Sequence, residues 1–368
     1  MRHAERAVFD LRRGFPVLLR GNHGDTLIAP MEGLNAQVLD DAVLLTQAKP
    51  VLVLSKHRLA SLGLAVSDLS ASLQFEHTPD CVQLLRLSLA RAEALSADLP
   101  LTPLASSPEE RAGLLLMRRA ELIPAALAFP VAEGQRDAVE RHVAEASILA
   151  VNTADVIALC ESGPGRLTRV SDARVPLADL GDARFVLFRE EDGSREHVAV
   201  LIGERPHWPE AVPVRVHSAC LTGDLFGSQR CDCGAQLRNS LAMIKTLGGG
   251  ILLYLAQEGR GIGLANKLRA YRLQDEGLDT IDADQVIGFG KDERDYRVAH
   301  EMLDALDVQR IELLTNNPEK VSALRDAGIE VVSRRALFGQ LNDHNHFYLR
   351  TKADRHGHLL EELLARPV

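Results

Sequence analysis

The chain has 368 residues, 46% of them hydrophobic and 25% charged, and a formal net charge of −9 at pH 7. That length exceeds what one core ordinarily carries, so two domains are expected. The acidic balance excludes a general nucleic-acid surface, which needs clustered excess Lys and Arg, and no apolar run approaches the roughly 20 residues that cross a bilayer.

The first stretch, "MRHAERAVFDLRRGFPVLL", sets basic residues before a short apolar run. Arg12, Arg13 and Gly14 interrupt that run and no small-residue cleavage site follows. It therefore reads as a helix and then a strand, and a cytoplasmic protein is expected. Up to about residue 165, strand-like runs ("PVLLR", "TLIAPM", "AVLLT", "PVLVLS") alternate with Ala- and Leu-rich helical stretches such as Val82 to Leu95. Pro and Ser punctuate "SADLPLTPLASSPEERAG" before an acidic start, which predicts a loop feeding a helix. In "CESGPGRLTRVSDARVP" Gly and Pro cluster after a helix and a new pattern begins, so the domains are expected to be residues 1–168 and 169–368.

From about residue 170 strands dominate ("ARFVLFRE", "EHVAVLIG", "VPVRVHS"). Two βα units follow, "GGGILLYLAQEGRGIGLANKLRAYRLQDEG" and "RIELLTNNPEKVSALRDAGIEVVS", each a strand, a polar or Gly-rich turn and a helix. The pattern implies an α/β layer with ligand loops at the strand ends. There is no internal repeat and no low-complexity tract.

Three of the five cysteines fall in "SACLTGDLFGSQRCDCGAQ". Free thiols or metal ligands are expected in a reducing compartment, and Cys81 and Cys160 need no explanation beyond that of small buried hydrophobes. Cys231 and Cys233 are two apart, so in an extended segment both sulfurs face one side, and a hairpin could return Cys220 to them. Three soft sulfurs select zinc and leave a fourth position for water, which suits a hydrolytic site. A structural zinc completed by His217, or clustering by chance, stays open at this point.

In "QEGRGIGLANKLRAY" an apolar strand runs into glycines and a helix, so backbone N–H groups could cradle a phosphate beside Arg260, Lys267 and Arg269. The spacing is neither a dinucleotide fingerprint nor a P-loop. "GKDERDYRVAHEMLDALDV" predicts a helix with Asp292 as N-cap and Asp295 three residues on, and Arg294 in its first turn opposes the macrodipole unless an anion is near. In "LLTNNPEKVSALRDAG" Asn317 caps, Pro318 opens and Gly328 closes a helix, which leaves Thr315 and Lys320 beside the strand end.

Together these stretches, with "HFYLRTKADRHGHLL", resemble GTP cyclohydrolase II, the enzyme that opens the guanine ring of GTP at the start of riboflavin synthesis. The resemblance covers roughly residues 170 to 363. It implies that Cys220, Cys231 and Cys233 bind a catalytic zinc that activates water for attack at C8 of the imidazole ring, with release of formate. It implies GTP contacts from Arg215, Val216, His217, Ser218 and Ala219, from Gln236, from Glu258, Gly259 and Arg260, and from Thr280, Thr315 and Lys320. Asp292 matches the family's proton acceptor, Tyr271 a tyrosine near the reacting ring, and Arg294 a residue acting at the α-phosphate as pyrophosphate leaves. A guanidinium stays protonated and is a poor nucleophile, so electrostatic stabilisation and nucleophilic attack are both open for Arg294. Magnesium on the triphosphate and a homodimer are also implied. Ala219 departs from members that carry Glu before the first cysteine, which removes a carboxylate from beside the metal but no ligand.

Fused members of the family carry 3,4-dihydroxy-2-butanone 4-phosphate synthase in the first half. "LRRGFPVLL", "GDTLIA", "HRLASLG" and "RHVAEASILAV" are faint echoes of it, with His142 and Glu145 in a stretch similar to its metal-binding segment. The acidic loop after the first strand is replaced by "RGNHGD", which lacks hard oxygen ligands for magnesium. The expected fold class is thus α/β in two domains: a degenerate α+β synthase-like N-terminal domain, and a mixed-sheet C-terminal domain that is cyclohydrolase-like. The competing readings are a GTP-binding regulatory or scaffold homologue without turnover, and a bifunctional enzyme that also converts ribulose 5-phosphate. Retention of Cys220, Cys231, Cys233, Tyr271, Asp292 and Arg294 counts against the scaffold.

Overall fold

Short aliphatic runs buried on both faces make the central strands here, and side-chain caps on the first free N–H groups start several of the helices. The computed structural model describes residues 2–22, 24–77, 79–94, 102–162, 167–342 and 345–365. It divides into two compact units, Met1–Ser162 with Ile262–Glu293, and Gly163–Gly261 with Arg294–Val368.

The first unit is built on a seven-stranded mixed sheet. Its strands are β1 (Val17–Gly21), β2 (Gly24–Pro30), β3 (Val51–Ser55), β4 (Ser70–Leu73), β5 (Pro103–Ala105), β6 (Ala125–Pro130) and β7 (Leu149–Asn152), in the order β5-β4-β3-β6-β2-β1-β7. Only the β1/β7 pair is parallel. Both faces are covered, so alternate residues enter opposite cores: Val17, Leu19 and Val53 pack with Leu11, Leu116 and Val156, whereas Leu18, Leu52 and Leu54 pack with Leu39, Leu84 and Val139. The helix Pro108–Arg119 starts as its sequence demands, with a capping box in which Ser107 and Glu110 satisfy each other's backbone N–H.

Two local expectations fail for identifiable reasons. "AVLLT" is the end of the helix Ala36–Thr46 and not a strand, because Asn35 caps Val38 N–H and Leu39, Ala42 and Thr46 bury at helical spacing. The helix expected over Val82 to Leu95 spans Cys81–Leu89. Arg58 binds the carbonyls of Arg86, Leu87 and Ala90 and so draws the chain out of helical register at its end. The Gly-Pro boundary at residues 163–166 lies outside the described residues.

The second unit holds another seven-stranded mixed sheet, made of β8 (Thr168–Leu177), β9 (Gly181–Arg189), β10 (Glu196–Ile202), β11 (Val212–Ser218), β12 (Gly250–Leu255), β13 (Arg310–Leu314) and β14 (Glu330–Arg335). The order is β14-β13-β11-β12-β10-β9-β8. From β14 to β12 the neighbours are parallel, and from β12 to β8 they are antiparallel. In the parallel half the C-terminal ends of β11, β12 and β13 therefore share one edge, where ligand loops are expected.

A single cut after residue 168 does not reproduce this division. Ile262–Glu293 joins the first unit because its polar groups are satisfied there: Asn266 Nδ2 donates to Glu121 O at 2.9 Å, Arg269 pairs with Glu32 at 3.1 Å, and Gly288 O accepts from Ser55 Oγ at 2.6 Å. Among the described residues no helix is long and apolar enough to cross a membrane.

Candidate active site

Strand β11 carries two kinds of side chain. Val214 and Val216 enter the apolar core on one face, so Arg215 and His217 project from the other. Arg215 is 6% exposed; its Nη1 donates to Leu314 O at 2.9 Å and its Nη2 to Gln236 Oε1 at 2.7 Å, while Nε is buried with no partner among the described residues. Burial pulls its pKa down to about 10, which leaves it a cation at neutral pH. His217 stacks on Tyr254 with centroids 5.6 Å apart, and its Nε2 lies 3.1 Å from both carboxylate oxygens of Asp224. Burial lowers its pKa, more than Asp224 raises it. Asp224 also accepts from Cys220 N and from Tyr254 Oη, each at 2.9 Å. One carboxylate thus ties together the end of β11, the next loop and the neighbouring strand β12.

The three cysteines do not lie on an extended hairpin. Cys220 precedes the short helix Leu221–Asp224, and Cys233 opens the helix Cys233–Thr246. The sulfurs nevertheless converge: Cys220 Sγ is 3.7 Å from Cys231 Sγ, and all three lie within 4.8 Å of one another. A Cβ on Gly223 would stand 2.8 Å from Cys231 Sγ and 3.0 Å from Cys220 Sγ, and one on Gly234 would stand 2.2 Å from Gly223 O. Only glycine lets the two helix starts close around the sulfurs. Three thiolates at this spacing suit a soft, tetrahedral cation such as zinc. His217, the other candidate ligand, is not part of the cluster, since its Nε2 is turned to Asp224.

Behind β12, Glu258 holds the loop to the cysteine segment. Its Oε2 accepts from Leu221 N at 2.6 Å and its Oε1 from Gly259 N at 3.1 Å. Gly259 (φ 61°) and Arg260 (φ 62°) are both left-handed, and for Arg260 that conformation is strained. Behind β13, Asn317 caps the helix Pro318–Asp326 and Gly328 (φ 98°) follows it, as the sequence predicts. Thr315 Oγ1 accepts from Asn317 N at 3.0 Å, and the 6% exposed Lys320 donates Nζ to Val216 O at 2.8 Å. Arg294 and Lys320 both lie against the Tyr296 ring, at 5.4 Å and 5.6 Å from its centroid. On the same edge, Ser218 Oγ is buried with no partner among the described residues, and Ala219 N donates to Leu255 O at 2.8 Å.

Asp292 does not cap a helix. The helix begins at Arg297, and Asp295 accepts from Arg297 N at 2.9 Å. Arg294 is therefore in the preceding loop and does not oppose a helix dipole. Tyr271, Thr280 and Asp292 belong to the first unit, Tyr271 within the helix Gly263–Asp275 with Lys267 Nζ 5.5 Å from its ring centroid, and Thr280 at the start of the helix Thr280–Val286.

The family model for GTP cyclohydrolase II matches residues 168–336. A GTP cyclohydrolase-2 of Azospirillum brasilense is 42% identical over 98% of this chain and 94% of that protein. The chain belongs to the GTP cyclohydrolase II family. A GTP cyclohydrolase-2 of Xylella fastidiosa (strain Temecula1) is 43% identical over 97% of this chain and 87% of that protein. Among solved structures, RibBX, a two domain 3,4-dihydroxy-2-butanone 4-phosphate synthase from A. baumannii, is similar at 17% identity and a TM-score of 0.38, covering 92% of this chain and 99% of that chain. As a member of the GTP cyclohydrolase II family the protein is a hydrolase of riboflavin biosynthesis.

Four residues of this candidate site escape sequence reasoning: Gly223, Asp224, Tyr254 and Tyr296. "CLTGD" offers one usable signal, a carboxylate four residues after a cysteine of the cluster, within reach of that cysteine's own N–H. Tyr254 and Tyr296 carry no local signal, because their roles come from neighbours remote in sequence.

Proposed function

We propose that the protein catalyses the zinc-dependent hydrolysis of GTP to 2,5-diamino-6-(5-phosphoribosylamino)pyrimidin-4(3H)-one, formate and pyrophosphate. One observation carries the reading: three converging sulfurs beside buried cations at the C-terminal edge of parallel strands, in a chain of this family. Held by Cys220, Cys231 and Cys233, zinc would supply Lewis acidity that makes hydrolysis feasible near neutral pH. Arg215 and Lys320 offer positive charge without needing to be desolvated when the triphosphate, with its magnesium, arrives. Gln236, already oriented by Arg215 and by an Asp232 Oδ2 acceptor at 2.5 Å, and the segment from Val216 to Ala219 complete the contacts with Glu258, Gly259, Arg260, Thr280 and Thr315.

Asp292 takes the proton and Tyr271 orients the reacting ring, both assigned by resemblance. Arg294 is read as an electrostatic partner of the α-phosphate, because a guanidinium keeps its proton. A cytoplasmic homodimer completes the reading. The first unit is proposed to lack synthase activity. His142 Nδ1 makes an ordinary local hydrogen bond to Ser147 Oγ at 3.0 Å, and Arg20, at the strand end where the acidic loop would start, is engaged in a two-pronged pair with Glu140.

The test is to incubate the zinc-loaded protein with GTP and magnesium and to follow formate, pyrophosphate and the pyrimidine. Cys231→Ser should lose zinc and turnover together. GTP bound but not consumed by fully loaded protein would replace this reading with that of a sensor, and formation of dihydroxybutanone phosphate from ribulose 5-phosphate would overturn the inactive first unit.

A further inference from the structure

Among the residues assigned to the reaction, Asp292 lies outside every helix and strand, after Gly290 and Lys291. Its neighbour Glu293, however, is held at both oxygens: Oε1 accepts from Gly290 N at 2.8 Å and Oε2 from the guanidinium of Arg118, at the end of the helix Pro108–Arg119. Glu293 is 17% exposed and Arg118 31%, so the pair is partly withdrawn from water and less screened than a surface pair.

The residues just upstream are fastened to the same unit. Val286 O accepts from Arg58 Nη1 at 3.0 Å, and Gly288 O from Ser55 Oγ at 2.6 Å. Arg58 is 1% exposed and fixed from its other side by Leu87 O at 2.8 Å and Ala90 O at 2.6 Å. At Gly288 (φ 94°) a Cβ would stand 2.8 Å from Pro124 Cγ, and at Gly290 one would stand 3.1 Å from His57 Nε2. The chain from Val286 to Glu293 therefore lies flush on residues of the first 162 and is pinned at three points.

We propose that Arg118 and Glu293 are positioning residues that clamp the backbone carrying Asp292, and that the first unit, no longer a synthase, is retained as the frame for this segment. The inference rests on the reading of Asp292 as the proton acceptor. A carboxylate that must meet one ring atom tolerates little displacement, and a misplacement of about 1 Å can cost on the order of a hundredfold in rate. A frame supplied by rigid strands and a helix serves that need better than a loop alone.

The experiment uses the full chain with six variants: Arg118→Ala, Arg118→Lys, the single reversals Arg118→Glu and Glu293→Arg, the charge-exchanged pair that combines them, and Asp292→Asn. Arg118→Ala should lower kcat by about tenfold to a hundredfold, with KM for GTP within about twofold and zinc content unchanged. Arg118→Lys should recover part of the loss, and the exchanged pair should exceed either single reversal. Should Arg118→Ala fail to fold, the Lys variant and the exchanged pair decide alone. Full kcat in Arg118→Ala while Asp292→Asn is inactive would overturn the clamp and leave the reading of Asp292 standing. Full kcat in Asp292→Asn would overturn that reading, and the clamp's purpose with it.

Discussion

A single methyl group at Gly223 would intrude on two of the three sulfurs. Neither can retreat, because Cys220 and Cys231 are themselves buried, so Gly223→Ala is expected to lower bound zinc well below one per chain while the second unit still folds. Metal analysis beside far-ultraviolet circular dichroism checks this. The two thiols outside the cluster behave differently. Burial pushes Cys160 up to about 11, so at pH 8 it is protonated and its alkylation, resolved by mass spectrometry, should be on the order of a hundredfold slower than that of an exposed thiol. Because the shift is upward, the rate should climb as pH rises toward 11, and a fast reaction at pH 8 would contradict the burial. The cysteine trio itself was readable from spacing and sulfur chemistry. The glycine that makes room for it was not, because a requirement for empty space is visible only once two helix starts have been brought together.

At the scale of elements, the end of β11 depends on Asp224. Asp224→Ala would leave the N–H of Cys220, the His217 ring and the Tyr254 hydroxyl without their common acceptor in a buried place. The expected cost is about 1–3 kcal/mol per stranded group before relaxation, read as a lower unfolding midpoint. Asp224→Asn, which keeps an oxygen acceptor, should recover part of it. β11, β12, β13 and the Asn317-capped helix were all legible, since short apolar β-branched and aliphatic runs and a cap followed by proline are local signals. The helix after "DERD" starts at Arg297 and not at Asp292, and its cap residue Tyr296 makes no side-chain cap bond. The reason is tertiary: Glu293 is committed to Arg118 and Gly290, which holds residues 290–293 out of a helix. "AVLLT" failed in the same way, its apolar run being equally compatible with the buried face of a helix.

For the whole molecule, the legible part was the existence of two α/β halves and a change of pattern near residue 165. The assignment of Ile262–Glu293 to the first unit was not, because the βα unit it belongs to reads as continuous with its own strand β12. A chain starting at residue 169 would keep Cys220, Cys231 and Cys233 but lose Ser55, Arg58, Glu121 and Glu32 as partners. Peptides covering residues 280–293 should then exchange backbone hydrogens much faster than in the full chain, while those covering β11 and β12 should differ little. Equal protection in both proteins would mean that the segment needs no frame.

That interleaving also sets an order of events at the ribosome. The first unit lacks its last polar partners until Glu293 has been synthesised, on the order of ten seconds after Ser162 at ordinary elongation rates. Strands β8 to β12 are synthesised in the interval, so the nascent first unit must wait, incomplete, while half of its successor is already being made.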